Sequence, residues 1–377
     1  MVERAIALVQ TGPEAVEFEE FPLVPVSNGG ALIRVEANGL CHTDVDHYRG
    51  IDPGAVFPRI LGHEIVGVVE DLGVGAVRED VRVGDRVALN PFVPCMQCRA
   101  CLRGDGHMCL GDGVAPRTFY GKASTRQSPS LWGGYATHVY AVPGSLLYRF
   151  PPEVEARVAT LWNPLAGAIQ WLTMNARPMP GDVVVVLGSG QRGLACVAAA
   201  RLAKAELIVA TGLSRDAHKL DVARQLGADL IVDVERDDIV EVVREATGGA
   251  GADIVVDTTP GAIGPLADAI AALRPGGTLV TVGLKNRSAD AFPIDQITRK
   301  NVTMRGSAGQ SHEAYRRAAD LISRGEVDLT PMQTHVFGFD RLAHAMKVLV
   351  GNDPAERGIN VVITPSFSDD SRIRQDV

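Results

Sequence analysis

The stretch "DVVVVLGSGQRGLACVAAARLA", Asp182–Ala203, decides the fold. Val183–Leu187 is an unbroken apolar run, which reads as a strand buried on both faces; a half-exposed strand would alternate. Gly188, Gly190 and Gly193 follow, and then an alanine-rich segment that reads as a helix packed on a sheet. Each glycine has a physical use in that context. The first allows a tight turn, the second lets backbone approach a pyrophosphate, and the third lets the helix lie close to the strand. The helix N-terminus adds unpaired N–H groups and the positive end of its dipole. The reading is a dinucleotide site; the alternative is a tight strand–helix turn without a ligand.

Outward from this turn, strand and helix alternate. "ELIVATG", "LIVD", "ADIVVDTTP" and "GGTLVTVGL" read as strands, separated by helices such as "AHKLDVARQLG" and "GPLADAIAALRPGG". That order implies a parallel, doubly wound sheet of α/β class. The first third is different: short segments such as "GALIRVEANGL", "HEIVGVVEDLG" and "GDRVAL" end in turn-formers and suggest a barrel of short strands. After about Ala308 come the helix "AYRRAADLISRG", the strand "THVFGF", another helix and the strand "GINVVITP". The closing "SFSDDSRIRQDV" is polar and is expected to be loose.

A chain of 377 residues exceeds the roughly 250–300 at which one core stops growing, so two domains are expected. The net charge of -8 and the lack of a Lys/Arg run argue against a nucleic-acid partner. "MVERAIALVQ" does not have the pattern of a secretory signal, and the longest apolar run is too short to span a bilayer. The expectation is a cytoplasmic protein with no membrane partner.

An acidic residue that could hold the ribose of NAD is expected at the end of the second strand. There the chain reads "VATGLSRDAHKL", with Gly212 in that place and Ser214 and Arg215 next. A guanidinium can pair a 2′-phosphate. Asp216 could serve a ribose instead, and Arg215 could equally be solvated surface, so the reading leans only slightly to NADP(H).

"CMQCRACLRGDGHMC" gathers Cys95, Cys98, Cys101 and Cys109 on one knuckle. Four thiolates suit a closed tetrahedral zinc site with no open position for chemistry. An iron–sulfur cluster also takes four, but the ferredoxin run brings its fourth cysteine sooner and follows it with proline, where Leu110 stands here. Free or disulfide-bonded cysteines are the remaining alternative. His107 is a spare ligand or plain surface.

"GHEIVGVVEDLGVGA", Gly62–Ala76, leaves His63 open as ligand, base or packed core residue. "GLCHTDVDHYRG", Gly39–Gly50, adds the thiol of Cys41 in the same third of the chain. With the knuckle and the glycine turn, this pattern resembles the zinc-containing alcohol dehydrogenases of the medium-chain dehydrogenase/reductase superfamily, in order and over nearly the whole chain. The resemblance implies a GroES-like β-barrel catalytic domain over 1–162 with a structural zinc lobe at about 90–112. It implies a Rossmann-type domain over 163–307, and a segment 308–377 that completes the catalytic domain.

The resemblance also assigns roles. Cys41 and His63 would bind catalytic zinc, with Glu64 behind or on the metal. Thr43 would relay the alcohol proton, and Asp44 would orient a ligand. His42 would lie near the cofactor pyrophosphate. The cofactor set would comprise Gly188, Gly190, Arg192, Gly193, Gly212, Ser214, Arg215 and Val282. Zinc would act as a Lewis acid while hydride passes between an alcohol and NAD(P). The expected substrate is an apolar secondary or cyclic alcohol rather than a polyol; Phe92, Tyr120, Trp132 and Trp162 are candidate pocket walls, each read as core before pocket. A homodimer or homotetramer is expected.

Three places depart from the family. Asn163, in "TLWNPLAGAIQ", stands where a Cys, Asp or Glu usually gives the third zinc ligand. Asp46 occupies the usual place of a relay histidine, with His47 one step later. Arg192 replaces a small apolar residue in the glycine turn. A zinc-free enone or quinone reductase on the same scaffold is one rival, and a non-catalytic protein that binds nucleotide and zinc is another.

Overall fold

The computed structural model describes residues 4–52, 54–75, 81–111, 118–289, 292–353, 355–367 and 370–372. The chain divides into two compact units. One comprises Met1–Asn163, Ser311–Glu326 and Gln333–Val377; the other comprises Pro164–Gln310 and Val327–Met332.

In the second unit, six strands form a wholly parallel sheet among the described residues. The order is Leu230–Asp233, Leu207–Gly212, Val183–Leu187, Ala252–Asp257, Leu273–Thr281, Thr303–Gly306. The chain enters at the middle, winds out to Leu230–Asp233 and returns to the other side of Val183–Leu187. That reversal is the switch point at which such sheets leave a crevice beyond their strand ends. Val185, Val209, Val255 and Leu279 fill one face of the sheet. Helix Gln191–Leu202 is buried from Gly193 to Ala200, which explains why its sequence is nearly all small and apolar.

The first unit is mostly antiparallel. Its larger sheet is ordered Leu147–Phe150, Arg86–Leu89, Glu64–Leu72, Ala31–Leu40, Asn360–Ile363, Gln333–Phe337, Asp370–Arg372, with His138–Ala141 also pairing Ala31–Leu40. A smaller sheet joins Ala15–Pro22, Arg4–Gly12 and Arg59–Ile60. Strand Ala31–Leu40 lies between Glu64–Leu72 and Asn360–Ile363, so both ends of the chain build one layer. Leu40, Ile60, Leu61, Phe337 and Val361 share its core. The closing segment is not wholly loose: Asp370–Arg372 pairs antiparallel with Gln333–Phe337. Backbone pairing on a strand edge needs no apolar side chains, so the polar composition carried no sign of it. Residues 368–369 and 373–377 lie outside the described residues.

Two local elements matter for the sites. Ahead of His42–Tyr48, a short helix, Cys41 takes the extended N-cap position. Helix Trp162–Ala168 runs directly into a π-helical stretch, Ile169–Ala176, ended by Arg177 in the left-handed region. No helix of the described residues is long and apolar enough to cross a membrane.

Candidate metal and nucleotide sites

The register between two strands sets up the first site. Gly39 lies opposite Glu64, and a Cβ on Gly39 would collide with Glu64 Oε2. The glycine is therefore what allows a buried carboxylate to fold back over the strand. Cys41 and His63 lie beside it, and one donor atom from each of Cys41, His63 and Glu64 falls within 4.8 Å of the others. All three are buried.

Asp44 supports this group from behind. Its Oδ1 is 3.1 Å from His63 Nδ1, and its Oδ2 accepts from the Cys41 backbone N–H at 3.0 Å. One carboxylate thus orients two of the three donors and leaves His63 Nε2 for the metal. Burial works against charge on either partner. Even so, His63 and then His47 hold the Asp44 carboxyl below its usual range, and Asp44 holds the His63 pKa well above the ordinary imidazole value. Thr43 Oγ1 is 3.6 Å from Cys41 Sγ, at the same centre. A thiolate, an imidazole and a carboxylate are the donors that zinc takes, and the group fits that ion.

The other expected residues fall at different distances from this centre. Asp46 is exposed on the helix, whereas His47 is buried with Nε2 4.0 Å from Asp52 Oδ2. Burial lowers the His47 pKa to about 4, so it is neutral at pH 7. His42 is exposed. Asn163 is buried, and its Nδ2 donates to Tyr315 Oη at 3.5 Å. Of the candidate walls, Tyr120, Trp132 and Trp162 are core residues. Phe92 is half-buried and packs edge-on against Phe119, whose ring lies 5.5 Å from that of His63.

Sequence reasoning missed Phe119, Lys122, Tyr135 and Arg59. Lys122 lies over the Phe119 ring at 5.7 Å. Tyr135 Oη is buried with no hydrogen-bond partner among the described residues. Burial, then the charges of Asp44, Glu64 and Cys41, raise its pKa well above the phenol value. For Arg59 a signal existed: a lone cation inside the otherwise apolar "VFPRILG". A buried cation has to be paired.

The knuckle closes as a second metal site. The Sγ atoms of Cys95, Cys98, Cys101 and Cys109 all lie within 4.8 Å of one another. Cys98 is 3.5 Å from Cys101 and 3.8 Å from Cys109, and Cys95 is 3.9 Å from Cys101. Zinc–sulfur bonds of about 2.3 Å in a tetrahedron require edges of about 3.8 Å, so the cage fits zinc. Backbone N–H groups of Cys98, Cys95 and Gly111 donate to the sulfurs at 3.3, 3.4 and 3.3 Å and favour thiolates. The Cys101 backbone leads the groups that pull Cys98 to about 6, while burial pushes Cys101 to about 12. His107 belongs to the one-turn helix Gly106–Met108.

In the second unit, Gly188 has φ +100°, a backbone that L residues rarely adopt, and a Cβ on Gly193 would overlap the Gly188 carbonyl. Gly190 is the extended N-cap of helix Gln191–Leu202. Arg192, in the first turn, lies over the Trp171 ring at 5.4 Å. Gly212 has no space for a side chain, since a Cβ would meet Ser189 Oγ at 2.9 Å and Leu220 at 3.0 Å. Ser214 is already engaged: its Oγ donates to Asp233 at 2.6 Å and its N–H to Glu235 at 2.8 Å. Arg215 is exposed, Asp216 pairs with Lys219 at 2.8 Å, and Val282 donates its N–H to Asp257 O at 3.0 Å.

Fold and sites together define a two-domain dehydrogenase. Residues 27–152 match the family described as alcohol dehydrogenase GroES-like domain, and residues 193–324 match the zinc-binding dehydrogenase family. Over 363 residues the chain is 39% identical to a probable alcohol dehydrogenase of Mycobacterium tuberculosis, spanning 95% of this chain and 98% of that one. It is 31% identical over 369 residues to a probable D-xylulose reductase A of Aspergillus clavatus, spanning 95% and 96%. A solved alcohol dehydrogenase of Thermotoga maritima shares the fold with a TM-score of 0.86 at 23% identity, over 97% and 100% of the two chains. The chain belongs to the zinc-containing alcohol dehydrogenase family of the medium-chain dehydrogenase/reductase superfamily. It is an oxidoreductase of that type.

Proposed function

We propose that the protein is a zinc-dependent alcohol dehydrogenase and carbonyl reductase that passes hydride between a secondary or cyclic alcohol and NADP(H). The convergence of Cys41, His63 and Glu64 carries this reading. When bound, zinc supplies Lewis acidity toward the substrate oxygen. Thr43 relays the proton, its oxygen accepting from the substrate hydroxyl as its own proton leaves, and His47 is the candidate for the next group on that path. Asp44 keeps His63 in the tautomer that leaves Nε2 free. Glu64 is the third protein donor, and Asn163 is a further candidate ligand that the Asn163→Asp variant tests. Phe92 and Phe119 offer an apolar wall beside His63, which supports an apolar flank on the substrate.

Pyrophosphate recognition falls to the glycine turn and the helix N-terminus, with Arg192 supplying positive charge. The NADP(H) preference is supported by Gly212 in place of an acid and by the exposed Arg215. NAD(H) is the second reading, because Asp233 and Glu235 put two carboxylates on Ser214. A polyol substrate is likewise favoured by one observation, the D-xylulose reductase relative. The proposal includes a cytoplasmic homodimer or homotetramer without nucleic-acid or membrane partners, which sedimentation and cell fractionation check.

The deciding experiment is zinc content per chain, together with oxidation of cyclohexanol, 2-butanol, xylitol and sorbitol with each oxidised cofactor. Two zinc ions and faster turnover of the first two alcohols with NADP support the reading. A zinc-free active enzyme, or no turnover of any alcohol, overturns it. Arg215→Ala should lower the NADP/NAD ratio of kcat/KM, and an unchanged ratio makes Arg215 surface.

A further inference from the structure

Arg59 is 1% exposed, and its guanidinium is fully engaged. Nη1 and Nη2 donate to the two oxygens of Asp52 at 2.7 and 3.0 Å, forming a bidentate pair. Nε donates to Gln10 Oε1 at 2.8 Å. Nη2 also donates to the backbone carbonyl of His47 at 2.8 Å. Gln10 Nε2 completes the set, donating to the carbonyls of His47 at 3.0 Å and Tyr48 at 2.8 Å. The ring of Phe57 lies 5.0 Å from the guanidinium carbon.

These bonds join four chain segments. Gln10 comes from strand Arg4–Gly12, and the two carbonyls end helix His42–Tyr48. Asp52 follows that helix, and Arg59 opens the two-residue strand Arg59–Ile60, which leads through Leu61 and Gly62 to His63 and Glu64. The last carbonyls of a helix have no partner within it. Here the backbone N–H groups of Gly50 and Glu14 donate to the His47 and Tyr48 carbonyls at 3.0 and 2.7 Å, and the Gln10 amide and the Arg59 cation add further donors, with positive charge at that end suiting the helix dipole. The opposite end of the same helix holds Cys41 and Asp44, both tied to the metal site. A seven-residue helix is too short to be stable or fixed in place by itself.

We propose that Arg59 is a positioning residue for the catalytic metal centre, a clamp that holds the helix capped by Cys41 and bearing Asp44 against the segment 59–64 that carries His63 and Glu64. The inference rests on the reading of Cys41, His63 and Glu64 as a zinc site. Arg59 touches none of these donors. It acts through the helix, and Lys cannot replace it, because one ammonium lacks the planar fork that serves Asp52, Gln10 and His47 together.

The test is zinc release from the full-length holoenzyme to a chromogenic chelator, with unfolding and steady-state kinetics on the same samples. The release phase that disappears in Cys41→Ala belongs to this centre. Removing Arg59 alone would strand the buried Asp52 charge, so the main variant is Asp52→Leu with Arg59→Met, which removes both. In the double variant, that phase should accelerate at least about ten-fold, the scale on which supporting residues act on a metal. The knuckle phase and the cofactor KM should stay within about two-fold, while kcat falls about ten-fold. Arg4→Met, which breaks an exposed pair with Glu20, should change nothing. A folded double variant with wild-type release and kcat overturns the clamp. If the double variant does not fold, Arg59→Lys decides: faster release supports the clamp, and wild-type release overturns it. Cys41→Ala losing no phase overturns the zinc reading and the clamp with it, a pattern distinct from failure of the clamp alone.

Discussion

Replacing Asp44 by Asn changes one oxygen to an NH2 in a site where both oxygens are used. The carboxylate faces the Cys41 N–H at 3.0 Å and His63 Nδ1 at 3.1 Å, and both require an acceptor. An amide has one. If its oxygen serves Cys41, its NH2 meets His63 Nδ1, and the imidazole must move its proton to Nε2, where it blocks the metal. If its oxygen serves His63, the Cys41 N–H is left facing a donor in a fully buried place. An unsatisfied buried group costs about 1–3 kcal/mol, and loss of a charge-assisted bond costs a similar amount. The expected result is zinc affinity about 10–100-fold weaker, a loss of roughly 1.4–2.7 kcal/mol of binding. The metal-free protein should lose about 1–3 kcal/mol of stability. Competition with a chelator of known affinity measures the first, and denaturant unfolding of the stripped protein measures the second. Zinc affinity within about two-fold of wild type would refute the orienting role of Asp44.

Cys98→Ser should release one zinc per chain and lower the unfolding temperature, because metal binding and folding are coupled at closed sites; full zinc retention, measured by elemental analysis, would sink the knuckle assignment. His47 has a folded pKa of about 4 against about 6.5 unfolded, so its contribution is complete above pH 6.5 and is lost as pH falls toward 4. Over that window the wild type should lose roughly 3 kcal/mol that His47→Gln does not, and parallel pH–stability curves would contradict this. Asn163→Asp should raise zinc affinity and move the pH profile of alcohol oxidation upward, since an added anion weakens the pull of the ion on oxygen; no change in either quantity would remove Asn163 from the metal. In Gly193→Ala the new methyl overlaps the Gly188 carbonyl, so cofactor KM should rise about ten-fold or more, with a spectrally normal fold, and an unchanged KM would show that the turn can yield.

The parallel sheet was legible because each strand is a continuous apolar run and each connection is a helix. The knuckle was legible because its ligands are close in sequence. The active centre was legible only by resemblance, since Cys41, His63 and Glu64 come together through the pairing of Gly39 with Glu64, which no local pattern announces. The same holds for Phe119: its place beside His63 depends on the two-residue pairing of Phe92–Val93 with Thr118–Phe119. Ser214 belongs to the expected cofactor set, and the partner of its hydroxyl, Asp233, comes from the next strand across the Gly212–Asp233 register, which the local sequence does not show. Helix His42–Tyr48 escaped notice because seven residues are too few to show a period.

The strand that ends in Leu40, next to Cys41, is paired on one side by Val361 and Ile363. Those residues leave the ribosome long after Cys41 does, on the order of tens of seconds at ordinary synthesis rates. The inserted unit has its whole parallel sheet available earlier, and its strands join through short local crossovers. It is therefore the part that can fold on the nascent chain, while the sheet beneath the metal centre waits with one edge open. Cys41, Cys95, Cys98, Cys101 and Cys109 pass that interval as thiols in an incomplete structure. Metal supply and protection from oxidation during synthesis, as much as affinity in the finished protein, then set how many chains leave the ribosome able to become active.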